Sequence, residues 1–151
     1  MKLVDLADIT YREIDTPDTL SIPNIVFWLA SNLPALNILI GTDYKLGDTE
    51  ESIPELGDSE SVILKYLYLI HFYGFLVKSS LGAAGIGFSE LSDGDTTIRW
   101  VSKNEIAKSY DQLKKALEAR LNQLVFAYKQ DTVVPIGLAA AHDLVKFFRI
   151  Q

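Results

Sequence analysis

The feature that most restricts the folding of this chain is a 16-residue run that is apolar on almost every side of a helix. It extends from Val62 to Val77, and its only interruptions are Lys65, His71 and three tyrosine hydroxyls. A helix that is apolar all round is buried on several sides or spans a membrane. A span needs about 20 apolar residues and avoids internal charge. We therefore expect a helix covered on one side by its own fold and on the other by a neighbouring subunit.

Length, charge and cysteine content exclude several protein classes. The 151 residues fit one domain, 1–151, and 48% hydrophobic residues can fill its core. The net charge of −6 disfavours a protein that coats DNA or RNA. The chain has no cysteine, so disulfides, thiolate zinc sites and cysteine nucleophiles are excluded. The acidic, polar N-terminal segment does not have the pattern of a signal peptide, which predicts a cytoplasmic origin.

Charge is unevenly distributed along the chain. The first 60 residues hold 12 acidic and 3 basic side chains, whereas the remaining 91 hold 8 and 11. An acidic face and a basic face on one domain suit head-to-tail or side-by-side packing of copies. The alternative is an uneven surface without functional consequence.

The first 54 residues contain four of the five prolines, which predicts short elements and turns there. Ile25–Ala30 and Leu36–Ile40 are apolar and predicted to be helical. Pro34 should divide them into two short helices or one bent helix, and Gly41 should end the second. Residues 43–60 form an acidic stretch, predicted to be a solvated surface loop because its carboxylates lack the spacing of a calcium loop.

The middle of the chain is predicted to contain a helix, a hinge and a strand. The apolar helix should run from Ser59 to Ser80 and end at Gly82, with Asp58 or Ser59 as its cap. The glycine-rich segment that follows lacks the Gly-Lys-Ser/Thr of a phosphate loop and is interpreted as a hinge. After a turn at 92–95, Thr96–Val101 has strand composition. It pairs with Gly87–Leu91 as a hairpin, or it adds to another chain.

Two further helices are predicted towards the C-terminus. Ser102 and Glu105 form a capping box, and the apolar residues of the long helix that follows recur every three or four positions. Those residues are Ile106, Tyr110, Leu113, Leu117, Leu121, Leu124 and Tyr128. After a connector, Leu138–Phe148 is predicted to be an amphipathic docking helix within the C-terminal segment 131–151, with Phe147 outside its apolar side.

The sequence contains no motif for catalysis, cofactor binding or metal binding. Its two histidines are His71, in the apolar helix, and His142, whose neighbour Asp143 points about 100° away on a helix. No hydrolase elbow, zinc-protease or nucleotide-loop sequence is present. The carboxylates lie in polar loops, where nothing raises their pKa for acid catalysis. We therefore predict a non-enzyme without cofactor or metal.

The order of these elements resembles a known family. It is carried by Trp28-Leu29, Leu36–Ile40, the tyrosine-rich helix ending at Leu81-Gly82, the segment Ser89–Ile98 and the long helix ending in Leu124–Lys129. Over residues 20–130 this pattern resembles the head–tail connector, or neck adaptor, proteins of tailed bacteriophages. The acidic loop and the C-terminal helix have no counterpart in that resemblance.

The resemblance implies a mainly α fold, a small helical bundle with a long loop or short β-hairpin before the last long helix. It also implies a structural virion protein that is assembled in the host cytoplasm. About twelve copies would form a ring between the portal and the next neck or tail protein, with DNA passing through without sequence-specific binding. We expect no membrane partner.

The predicted partner contacts are Arg99, Trp100, Phe147 and Phe148, because arginine and aromatic residues dominate interface energetics. One alternative function is a helical, oligomeric regulatory or binding module without catalytic activity. A second is an enzyme that uses scattered carboxylates, which would require a deep pocket with acids close together.

Overall fold

The computed structural model describes residues 1–47, 51–82, 90–93, 96–99 and 103–132, and most of these are helical. The helices are α1 (Leu3–Glu13), α2 (Ile22–Ser31), α3 (Leu33–Ile40), α4 (Asp58–Gly82) and α5 (Lys103–Thr132). Two short antiparallel pairs accompany them, β1 (Lys45–Leu46) with β2 (Ser52–Ile53) and β3 (Glu90–Asp93) with β4 (Thr96–Arg99). The predicted fold class, a mainly α chain with a hairpin before the last long helix, is confirmed.

The central element of the bundle is α4. It runs antiparallel to α5, since Glu60 near its start meets Tyr128 near the end of α5, and Tyr73 meets Tyr110 nearer the start of α5. On another side α4 packs against the N-terminal helices, with the ring of Tyr68 lying edge-on to Trp28 at 5.3 Å. Contact on two sides explains why the helix is apolar around its circumference.

Among the described residues, Asp58–Leu81 is long and apolar enough to cross a membrane, and α2 with α3 would be a second candidate if that bent pair were one span. The central helix of a bundle passes the same test. In α4, Ile63, Leu64 and Tyr68 are buried among other helices, and Lys65 forms a 2.7 Å ion pair with Glu13 of α1. These contacts cover only part of α4, since 28% of the candidate span is buried inside the structure.

The N-terminal helices fold as their prolines predict. Pro34 lies in the first turn of α3, and the axes of α2 and α3 meet at 46°. The side-chain amide of Asn32 at the break donates to the Trp28 carbonyl oxygen at 2.8 Å. Gly41 ends α3 with a φ of 75°, a left-handed conformation that glycine adopts without strain. Both predictions, the division at Pro34 and the end at Gly41, are confirmed.

The structure adds a helix that the sequence patterns did not predict. α1 buries Leu3, Leu6, Ala7 and Thr10 against the rest of the bundle, and the Thr10 hydroxyl donates to the Leu6 carbonyl oxygen at 2.6 Å. The core therefore begins at Leu3, ahead of residues 20–130, over which the family resemblance extends.

The acidic stretch at 43–60 is only partly a solvated loop. It contains the β1–β2 pair, and Leu56 is 2% exposed. Its carboxylates also make contacts, since Glu51 Oε2 accepts the Leu3 backbone N–H at 3.1 Å. Leu3 opens α1, where backbone donors lack helical partners, so this carboxylate satisfies one of them. The prediction of a purely solvated loop is wrong for this part.

Two element boundaries differ from those predicted. α4 begins at Asp58 rather than Ser59, and the Ser61 N–H donates a hydrogen bond to the carbonyl oxygen of Gly57, which precedes the helix.

In the second hairpin Glu90 pairs with Arg99 and Asp93 with Thr96. The hairpin is confirmed, but Ser92 and Asp93 belong to its first strand rather than to a turn.

The long helix begins beside its predicted cap, at Lys103, and its buried face differs slightly from the predicted stripe. Ala107, Leu121 and Val125 are buried, whereas Leu113 is 48% exposed. The face towards α4 is rotated away from Leu113 and includes Lys114, whose alkyl chain lies beside Gly74. A long aliphatic stem with a charged end can pack in this way.

Two neighbouring residues of α2 test how the bundle is stabilised. Leu29 is fully buried and Phe27 is 74% exposed. We expect Leu29→Ala to lower the free energy of unfolding by about 2–5 kcal/mol, because a buried leucine leaves a cavity. Phe27→Ala removes a larger side chain, but it should change the free energy of unfolding by less than about 0.5 kcal/mol, because that side chain is mostly exposed. Urea unfolding of dilute protein measures both, and equal losses would contradict the assigned core.

Candidate interaction surfaces

Three of the four predicted contact residues, Trp100, Phe147 and Phe148, lie outside the described residues. The fourth, Arg99, ends β4 opposite Glu90, and its side chain also lies outside the described part. The roles of these four residues therefore stay predictions.

One candidate surface is the distal half of the helix pair, defined as residues 70–81 of α4 and 105–118 of α5. The N-terminal helices pack nearer the start of α4, with Trp28 contacting Tyr68 and His71. Further along, Phe75 is 60% exposed and Leu81 is 52% exposed. The distal half thus presents large apolar side chains to solvent.

Two open grooves follow the distal half. One has a volume of about 370 Å³ and is lined by Ile70, His71, Gly74, Phe75, Val77, Lys78, Asp111 and Lys114. The other has a volume of about 380 Å³ and is lined by Val77, Leu81, Ala107, Lys108 and Asp111. Both grooves have apolar floors and are bordered by lysines and by Asp111. Lys114 pairs with Glu118 at 3.4 Å and Lys115 pairs with Asp111 at 2.7 Å, which leaves Lys78 and Lys108, among the described residues here, as the cations that could attract an acidic partner surface.

A second candidate surface is the acidic face, formed by α1 and the turn that follows it. Residues 1–20 hold five acidic and two basic side chains. Arg12 pairs with Asp8 at 2.9 Å, while Asp5, Asp15 and Asp18 are exposed. Val4 and Ile9 are 46% and 45% exposed on the same helix. The acidic face therefore combines negative charge with apolar side chains.

A third feature is the proximal groove, between the first turns of α4 and the last turns of α5. It has a volume of about 270 Å³ and is lined by Asp58, Ser59, Val62, Ile63, Leu124, Ala127, Tyr128 and Asp131. Its floor is largely apolar, and Asp58 and Asp131 carry negative charge beside it.

A tyrosine–carboxylate cluster borders the proximal groove. The Tyr128 hydroxyl donates to Glu60 Oε1 at 2.8 Å. Burial, followed by this hydrogen bond and the charge of Glu60, raises the pKa of Tyr128 to about 12. Burial and the same carboxylate also raise the pKa of Tyr44. Phenols in this state stay protonated near neutral pH, so the cluster acts as a set of hydrogen-bond donors rather than as a general base.

The described part of the chain contains no group of three or more histidine, cysteine, aspartate or glutamate residues that could hold a metal ion. His71 is exposed, and its ring lies 5.1 Å from that of Trp28 with a tilt of 33°. The three grooves described above are shallow surface features rather than enclosed cavities.

No protein-family model, curated protein or solved structure matches this chain. Among the described residues the exposed large side chains offer the most direct indication of function, and the sequence analysis did not single out Phe75 or Phe126, which is 64% exposed. The composition of α4 could not have identified Phe75, because apolar residues occur on every side of that helix.

The Tyr128–Glu60 contact predicts a pH dependence of stability. Below pH 10 the phenol is protonated in both the folded and unfolded chain. Between the ordinary pKa of 10.0 and about 12 the unfolded chain releases this proton while the folded chain retains it. The free energy of unfolding should therefore fall as the pH rises through this range.

Tyr128→Phe should make that fall in the free energy of unfolding smaller. The matched control is Tyr66→Phe, which removes a tyrosine hydroxyl from α4 and should leave the fall unchanged. Urea unfolding at several pH values from about 9 to 12 measures the difference. Identical pH profiles for Tyr128→Phe and the unaltered protein would show that the contact does not perturb this titration.

Proposed function

We propose that this chain is a structural virion protein of a tailed phage, a connector that forms a ring under the portal and joins head to tail. The observation that supports the proposal most directly is the distal half of the α4–α5 pair, where Phe75 and Leu81 remain exposed. Phe75 and Leu81 lie about 9 Å apart along α4 and about 120° apart around it, and they line two grooves that share Val77. Exposed apolar side chains of this size are found on surfaces that another molecule covers. In this proposal the covering molecule is a second copy of the chain.

Two different surfaces on one copy allow head-to-tail assembly, of which a ring is the closed form. The acidic face of one copy carries Val4, Ile9 and uncompensated carboxylates, while the distal half of the next carries Phe75, Lys78 and Lys108. Contacts between unlike surfaces are head-to-tail, and they give a ring when the rotation per copy closes. Opposite charges set the register of such contacts.

The net charge fits the passage of DNA through the ring. A chain of net charge −6 lacks the cationic excess that grips phosphates. DNA would then move through the lumen without being held, and the role requires no catalytic group. The ring would contact the portal on one side and the next neck or tail protein on the other.

Mass measurement and imaging test this assignment. We expect native mass spectrometry or negative-stain microscopy to show rings of about twelve copies, alone or on added portal rings. A two-fold mass would favour the alternative of a dimeric helical binding module. A monomer at high concentration that also ignores portal rings would rule out the proposed function.

Phe75→Ser tests the distal half as the self-association surface. The change removes an exposed side chain, so the monomer should fold normally while assembly is lost or weakened by at least about tenfold, the range of an interface hot spot. Phe126→Ser, at a similarly exposed phenylalanine on α5, is the matched control and should assemble. Sedimentation velocity over a concentration series measures both. Equal behaviour of the two variants would remove the distal half from the proposed interface.

A charge swap tests the pairing of the acidic face with the distal half. Asp5→Lys and Lys78→Glu should each weaken association about two- to fivefold at low salt, the effect of an exposed ion pair. The double variant should recover part of the loss, because the exchanged charges attract again. Association constants in low salt and in about 0.5 M salt give the readout. Additive losses in the double variant would show that the two side chains do not meet.

A further inference from the structure

We propose that the C-terminal segment 138–148 of this chain packs, as a helix, into the proximal groove of the same molecule. The proposal concerns a different surface from the ring interface and does not depend on it. It assigns an occupant to the proximal groove between the first turns of α4 and the last turns of α5.

The groove has the composition of a helix-binding site. Val62, Ile63 and Leu124 supply apolar side chains, and Ala127 leaves space between the two helices. Val62 is 37% exposed although it belongs to the central helix. An amphipathic helix laid along such a groove would cover these side chains with its own apolar face.

The chain leaves the described structure at the edge of this groove. Asp131 lines the groove, and Thr132 is the last residue of α5. Pro135 and Gly137 follow, and a proline in this position disfavours continuation of the helix. Residues 133–137 can span up to about 17 Å, which is enough for the chain to reverse direction.

The dimensions match a segment that returns antiparallel to α5. The α5 wall of the groove extends from Leu124 to Asp131, about 10 Å along the helix axis. A helix at 138–148 would be about 16 Å long and would cover the whole wall. In this arrangement Ala141 lies beside Ala127, and Val145 lies beside Leu124.

Side-chain chemistry agrees with this docking. On a helix, Leu138, Ala141, Leu144, Val145 and Phe148 share one side. Arg149 lies at the edge of that side, about 100° from Phe148, and the groove carries Asp58 and Asp131. Phe147 lies on a different side of the helix and stays available as the predicted partner contact.

The absence of cysteine makes a direct test possible, because any introduced pair is unique. Ala127→Cys with Ala141→Cys should form an intramolecular disulfide under mild oxidation, detected as a monomer of altered mobility on a non-reducing gel. Its yield should be unchanged on a twenty-fold dilution. The matched control is Lys129→Cys with Ala141→Cys, since Lys129 is within reach of the same tether but lies about 160° around α5 from Ala127, outside the groove, and it should form this disulfide in much lower yield.

The side of the tail helix is tested in the same assay. Phe148→Ser should reduce the yield of the Ala127→Cys/Ala141→Cys disulfide at least about fivefold, whereas Phe147→Ser should leave it unchanged. Performing the assay in the Phe75→Ser background separates its result from that of the ring proposal. A covalent dimer would show that the tail packs on a second copy. If no disulfide forms, the tail does not lie in the proximal groove. Either result overturns the proposal.

Discussion

The need of α4 for apolar cover on more than one side determines how the other helices are arranged. A fully buried leucine or isoleucine contributes about 1.5–3 kcal/mol relative to an exposed one, and α4 contributes Ile63 and Leu64 to the core. α1, α2 and α3 supply cover on one side, and α5 supplies it along another. The bent α2–α3 pair covers one side of α4, and the antiparallel packing of α5 covers another.

Polar contacts fix the connections between these helices. Asn37 of α3 accepts the Tyr44 N–H through Oδ1 at 2.9 Å and donates from Nδ2 to the Tyr44 carbonyl oxygen at 2.8 Å. Glu60 then ties the beginning of α4 to Tyr128 on α5. Such bonds matter chiefly because a buried donor or acceptor is costly when unpaired. The acidic stretch thus has a structural role in the described residues, in addition to its effect on charge.

Local signals in the sequence predicted several elements well, whereas features that depend on tertiary contacts were missed. Pro34, Gly41 and the capping box before α5 act within one turn of backbone, so their effects are visible in the sequence. α1 is an exception, because its buried residues, Leu3, Leu6, Ala7 and Thr10, recur at helical spacing and are a local signal that the sequence analysis did not use. Periodicity puts Leu113 on the apolar stripe of α5, but it does not show at which angle the neighbouring helix contacts that stripe. The contact with α4 leaves Leu113 outside. The exposure of Phe75 depends on how far the N-terminal helices extend along α4, which no local pattern encodes.

Distance from the rest of the chain distinguishes the two uncovered apolar surfaces. The proximal groove lies at the exit of α5, so the next segment of the same molecule reaches it at the high effective concentration of a short tether. Leu81 lies about 28 Å further along α4 than Val62, beyond the reach of a segment that is anchored in that groove. In the proposed ring, the acidic face of a second copy covers this surface. Together the two proposals would give the chain one surface covered internally and another left for a copy of itself, which is the asymmetry that head-to-tail assembly requires.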